Sequence, residues 1–149
     1  MAKIVGKYLV NAFSLNMLPD DNEAWYRLYI KRLSTKEFCD EIKSNVKNAI
    51  GHQSTIDLVN QLCNMNLTPN RIEIHLEFAD PDDDSLESWK NVLYVIQVSL
   101  RLQEGKVLST EELERLLNEG KIKLLKIEIS DLMREADEEL AEEEEGDEE

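Results

Sequence analysis

Hydrophobic and polar positions change period several times along the chain, and each change marks an element. Residues 4–13 are rich in Ile, Val, Tyr and Leu and read as a buried strand, interrupted near its end by Asn11. A buried asparagine needs partners, so Asn11 is either a structural hydrogen-bonder or a ligand contact. Residues 25–32 alternate Tyr26, Leu28 and Ile30 against Arg27, Tyr29 and Lys31, which suits a half-buried strand near a sheet edge. Ser34 and Glu37 make a capping box, and Phe38, Ile42 and Val46 follow at fourfold spacing, predicting a helix to about residue 48. After His52, the stripe Ile56, Leu58, Val59, Leu62 and Cys63 predicts a second helix ending before Asn66.

Residues 71–78 alternate cleanly, with Ile72, Ile74, Leu76 and Phe78 inward and Arg71, Glu73, His75 and Glu77 outward, so they predict a strand. His75 falls in a charged row and reads as a surface residue. Residues 89–102 form the longest strand pattern. One face (Val92, Tyr94, Ile96, Val98, Leu100) is apolar throughout, while the other starts with Leu93 and Val95 and turns polar at Gln97, Ser99 and Arg101. Such a strand either delivers side chains to a site at one end of the sheet or emerges there into solvent. A turn at 104–106, a second capping box at Ser109 and Glu112, a helix buried through Leu113, Leu116 and Leu117, and a strand over 121–129 complete the pattern. The expectation is one α+β domain: a mixed sheet of about five strands flanked by three helices.

Charge divides the chain more sharply than hydropathy does. Of the net charge of −15, residues 131–149 supply −11 through twelve acids and one base (Arg134), leaving −4 on residues 1–130. The expected organisation is therefore a domain over 1–130 and an acidic, solvated and disordered tail over 131–149. That tail argues against a protein that coats duplex nucleic acid, though not against a small pocket for a short nucleotide. The acidic loop 80–84 lacks the ordered ligand ladder of a calcium site and reads as solvated, so no metal is expected. Cys39 and Cys63 are isolated and lie in apolar helical patterns, which predicts buried, reduced thiols of a cytoplasmic protein. No apolar run approaches the roughly 18 residues needed to span a bilayer, and no signal-peptide core opens the chain, so no membrane partner is expected.

The candidate chemistry gathers around Gly51 and His52. A glycine closes one helical pattern and the histidine opens the next, where free N–H groups and the positive end of the helix dipole favour an anion. Histidine can also give or take a proton near neutrality. The pair is either an ordinary turn with a solvated imidazole or an anion seat with a proton donor beside it. The second is the minimum equipment for cutting a phosphodiester.

Four ordered blocks bear on that choice. They are Asn11-Ala12-Phe13-Ser14-Leu15-Asn16-Met17-Leu18, Gly51-His52-Gln53-Ser54-Thr55-Ile56, Asn70-Arg71-Ile72-Glu73-Ile74, and the run from Val95 through Gln97, Arg101 and Glu104 to Lys106. Together they resemble the ring-nuclease family first recognised as type III anti-CRISPR proteins of archaeal viruses, which has phage, plasmid and bacterial relatives. The resemblance spans roughly residues 3–129. It implies a homodimer that binds cyclic tetra-adenylate across its interface and cuts it, without metal or other cofactor, to linear di-adenylates, silencing a type III CRISPR second messenger. His52, Arg101 and Glu104 match the family's catalytic positions, and Asn11, Ser14, Asn16, Gly51, Arg71 and Gln97 match positions around its ligand. The segments near 20–32 and 80–90 look longer than in compact members, and the acidic tail looks additional. Two other classes remain: a binding protein that sequesters the ring uncut, and an interaction protein acting through its tail.

Overall fold

A computed structural model describes residues 3–20, 24–78, 89–102 and 105–132. Five strands make one mixed sheet: β1 (Lys3–Val10), β2 (Tyr26–Arg32), β3 (Lys47–Asn48), β4 (Trp89–Val98) and β5 (Ile122–Asp131), in spatial order β2-β5-β4-β1-β3. β1 runs parallel to β3 and β4, whereas β5 is antiparallel to β4 and β2. Three helices follow the predicted stripes: α1 (Thr35–Ile42), α2 (Gln53–Cys63) and α3 (Thr110–Asn118). The α+β class and single mixed sheet are as expected.

Burial on both faces explains the near-continuous apolar run of β4, which is fully buried from Asn91 to Ile96. On one face Leu9, Val92, Tyr94, Ile96, Ile122 and Leu124 meet Phe38, Ile42, Ile56, Val59, Leu113 and Leu116 of the helices. On the other face Val10, Leu93, Val95, Ile127 and Ile129 are covered by Ile74, Leu76 and Phe78. β2 closes one sheet edge, with Tyr29 and Ile30 exposed.

Three expectations need correction. Residues 71–78 bury alternate side chains as predicted but are not a strand of the sheet. They cross its second face as an extended strap, where the Leu76 N–H donates to the Met17 carbonyl at 2.8 Å and Asn91 Nδ2 donates to the Glu77 carbonyl at 2.8 Å. Period-two alternation reports which side chains are buried, not which backbone they pair with. The fifth strand is instead the short Lys47–Asn48, inside the stretch expected to be helix. α1 stops at Ile42 because Asn45 takes a left-handed backbone (φ 61°), after which the chain runs extended beside Tyr8 and Leu9.

The third correction concerns Cys39 and Cys63, which are buried as expected but joined in a disulfide between α1 and the end of α2, their Cα atoms 5.1 Å apart. That separation is well inside bridging range. The reduced-thiol expectation rested on two isolated cysteines in apolar helical patterns, and spacing along the chain does not reveal that α1 packs against the end of α2. Intracellular proteins of hyperthermophilic archaea are disulfide-rich, so the bridge does not itself assign a location. No helix among the described residues is long and apolar enough to cross a membrane.

Candidate functional site

The parallel strands β1, β3 and β4 end on the same side of the sheet, and the candidate residues leave from those ends. Asn11 follows β1 directly and is exposed, so it is not the buried strand residue that its pattern allowed. Gly51 and His52 follow β3 by two residues, and Gln97, Ser99 and Arg101 emerge exposed from β4. Chain direction thus assembles at one edge what the sequence scatters over ninety residues, the usual place for ligands in open α/β sheets.

His52 is the N-cap residue of α2, with extended backbone and no capping hydrogen bond from its side chain. The exposed imidazole is therefore available at the mouth of the helix, where the first N–H groups lack intrahelical acceptors. A network of asparagines fixes this mouth. The Ile50 N–H donates to Asn48 Oδ1 (3.0 Å), Asn48 Nδ2 donates to the Thr68 carbonyl (2.8 Å), and Asn70 returns the clasp through its N–H to Ile50 (2.8 Å) and its Nδ2 to Asn48 (2.9 Å). The clasp lays Arg71 against Gly51. A Cβ on residue 51 would stand 2.7 Å from Arg71 Cβ and 2.9 Å from its Cγ, so only glycine permits this approach. Gly51 thereby serves packing, and sets Arg71 against the residue that precedes the histidine.

Two cavities lie beside the first turn of α2, lined from that turn by Ser54 and Thr55 and not by His52. One, of about 140 Å³, is lined by Asn11, Ser54, Thr55 and the leucines 100 and 102. The other, of about 250 Å³, lies between α2, α3 and residues 100–102, 106 and 108, and Arg101, Lys106 and Arg115 supply its cations. Ser54, Leu100 and Leu102 border both, so the two cavities lie side by side near the ends of β1 and β4 and the start of α2. Ser54 lies two residues beyond His52 on α2. Spacing gave no sign of Ser54, Lys106 or Arg115, because they converge only through the fold. Ser14 caps a short 3₁₀ turn (Leu15–Met17), accepting from the Asn16 N–H at 3.3 Å, so its hydroxyl has a structural task on that loop. Glu104 lies outside the described residues. Among those described, no three His, Cys, Asp or Glu side chains gather closely enough to hold a metal ion. His75 is exposed on the strap, with its Nε2 3.7 Å from Glu73 Oε2, a surface pairing as expected.

The described residues thus form an α+β sheet with an open helix mouth and basic side chains around a recess at its parallel edge. The chain belongs to the STIV B116-like family, whose model matches residues 7–129. It is 36% identical over 121 residues to protein ORF116 of Acidianus filamentous virus 1, covering 80% of this chain and 92% of that one. It is 31% identical over 112 residues to protein 26 of Sulfolobus islandicus filamentous virus, covering 73% and 82%. Among solved structures it is similar to B116 of Sulfolobus turreted icosahedral virus, with a TM-score of 0.65 and 34% identity over 85% of this chain and 98% of that one. These relatives are all virus proteins, and the α+β fold described above matches that of the solved B116 structure.

Proposed function

We propose that the protein is a ring nuclease that cuts cyclic tetra-adenylate into linear di-adenylates and so disarms type III CRISPR signalling. The observation that carries this reading is the position of His52, uncapped and exposed at a helix mouth, on the sheet end where Arg101 lines the adjoining recess. RNA brings its own nucleophile, so the enzyme has only to align a ribose 2′-OH in line with the adjacent phosphorus and stabilise the departing 5′-oxygen. The 2′-oxygen bonds to phosphorus as the P–O5′ bond breaks. His52 gives its proton to O5′, and the 2′-hydroxyl proton passes to solvent. The product end is a 2′,3′-cyclic phosphate.

In this mechanism Arg101 bears on the scissile phosphate, the α2 N–H groups share its charge, Arg71 holds a neighbouring phosphate, and Glu104 orients the imidazole. Asn11, Ser14, Asn16 and Gln97 contribute polar contacts to the sugars and bases. A homodimer places one His52 at each of two opposite phosphates, because an isologous interface presents every group twice. Exposed apolar side chains on the edge strand β2 (Leu28, Ile30) and, separately, in the first half of β1 (Ile4, Val5) offer surface for a second copy.

Incubation with cyclic tri-, tetra- and hexa-adenylate in the presence of EDTA, followed by chromatography, tests the reading. Di-adenylate from the four-membered ring alone is the expected result. Tight binding with no product identifies a sequestering protein, and neither binding nor product removes the cyclic-nucleotide reading altogether.

A further inference from the structure

Past α2 the chain turns at Asn64, whose left-handed backbone (φ 52°) ends the helix, and runs back along α2 to Arg71. The helix of 11 residues is about 16 Å long at about 1.5 Å per residue. The chain from residue 64 to residue 71 reaches roughly 24 Å when extended. That slack would let Arg71 settle at several points along the helix unless the register were fixed. Backbone bonds mark the two ends of the run: the Met65 N–H donates to the Asn60 carbonyl (3.1 Å) and the Asn70 N–H to the Ile50 carbonyl (2.8 Å). Between them, asparagine side chains take the place of a pairing strand. Asn60 Nδ2 donates to the Leu67 carbonyl at 2.9 Å, while its Oδ1 accepts the Leu67 N–H at 2.8 Å. Asn48 Nδ2 then holds the Thr68 carbonyl, its Oδ1 accepts the Ile50 N–H, and its carbonyl accepts Asn70 Nδ2. Half-buried Met65 and Leu67 pack on the helix-side core beneath these ties.

Resting on the cleavage reading above, we propose that Asn60 and Asn48 are positioning residues for Arg71. They set the register of residues 65–71 on α2 and so deliver the exposed Arg71 side chain to a ring phosphate. Neither touches the ring, and both act through Arg71, whose Cβ and Cγ lie against Gly51. An amide suits the task because it offers both a donor and an acceptor, matching the C=O and N–H of one backbone residue. The two differ in what else they hold. Asn60 grips only the returning run, so its loss frees Arg71 and leaves the start of α2 in place. Asn48 grips that run and the approach to α2 together, so its loss disturbs Arg71 and His52 alike.

The test compares cyclic tetra-adenylate cleavage by full-length wild type, Asn60→Ala, Asn48→Ala and Arg71→Ala, with folding checked by thermal melting. Asn60→Ser, whose side chain also falls short of Leu67, replaces the alanine variant if that one does not fold. For Asn60→Ala the expected KM is about 10- to 100-fold higher, the scale of one hydrogen bond to a charged group, with kcat changed less than about threefold. The pH profile of kcat is expected to stay as in wild type. Asn48→Ala is expected to raise KM and to lower kcat as well. Placed in Arg71→Ala, the Asn60→Ala change is expected to cost nothing further, since both remove one function. A fall in kcat with KM unchanged in Asn60→Ala would overturn the proposal, and so would additive effects with Arg71→Ala. One readout needs no ligand: amide exchange at Asn70, whose acceptor Ile50 is untouched by the substitution, is expected to quicken in Asn60→Ala. Wild-type protection at Asn70 in a folded Asn60 variant would show that Asn60 sets no register. Failure of the wild type to bind or cut the ring defeats the cleavage reading instead, and exchange at Asn70 then decides the register by itself.

Discussion

At residue 51 the difference between hydrogen and a methyl group decides where an arginine goes. A Gly51→Ala side chain would meet Arg71 Cβ at 2.7 Å, so either the 70–71 turn or the start of α2 must shift. We expect a loss of roughly 1–3 kcal/mol in urea unfolding, the usual cost of overpacking, together with weaker ring binding. Binding lost without any stability change would show that Arg71 moves freely there. The glycine was conspicuous in the sequence because it separates two helical patterns. The reason for it was not, because its contact comes from a residue twenty positions later. Gln97 and Arg101 were also legible, as the polar end of an otherwise apolar strand. Asn60 was not: an amide in an amphipathic helix carries no mark of the backbone N–H and C=O it will bind at residue 67.

At the scale of elements, α2 is the piece on which the site is hung, and it is tied at both ends. The clasp of Asn48 and Asn70 holds its mouth, and the Cys39–Cys63 bridge pins its last turn to α1. A bridge with a sequence separation of 24 removes loop entropy from the unfolded chain, worth about 3 kcal/mol in the chain-entropy model. The double variant Cys39→Ala, Cys63→Ala should therefore melt well below the oxidised wild type and close to wild type kept in reductant. Equal melting temperatures with and without reductant would show that the bridge adds nothing. Helix starts were readable because the boxes Ser34/Glu37 and Ser109 with Glu112 are local chemistry, and both Ser hydroxyls accept the expected N–H at 3.1 Å. The strap at 71–78 and the short β3 were misread for one shared reason. Sheet pairing is a non-local choice, and hydropathy reports only the burial that follows from it.

For the molecule as a whole, charge sets two further expectations. On the helix side of the sheet, Lys126 Nζ bonds Glu41 Oε1 at 2.8 Å and Tyr94 donates to the same oxygen at 3.3 Å. The Glu41 hydrogen bond holds the Lys126 ammonium above its ordinary value of 10.5, and burial pushes the Tyr94 hydroxyl above 10.0. Both groups hold their protons more tightly folded than unfolded. Their contribution is therefore complete below the ordinary values and lost as pH rises through the folded ones. Urea stability should decline above about pH 10, and Glu41→Gln should make that decline shallower; an unchanged slope would remove the cluster from the account. Because β5 runs to Asp131 and the Leu132 N–H donates to the Trp25 carbonyl, a chain ending at Leu132 keeps the sheet intact while shedding most of the acidic charge. It should bind the tetra-anionic ring more tightly than full length at low salt, and the difference should shrink near 0.15 M, where the Debye length is about 8 Å. Loss of activity on truncation would favour the tail as the working part. The most direct test of the central claim replaces the scissile bridging 5′-oxygens of the ring with sulfur, a leaving group that needs no proton. His52→Ala should cut the natural ring about 10²- to 10⁴-fold slower than wild type, yet cut the sulfur-bridged ring at nearly the wild-type rate. Equal impairment on both rings would contradict proton donation by His52.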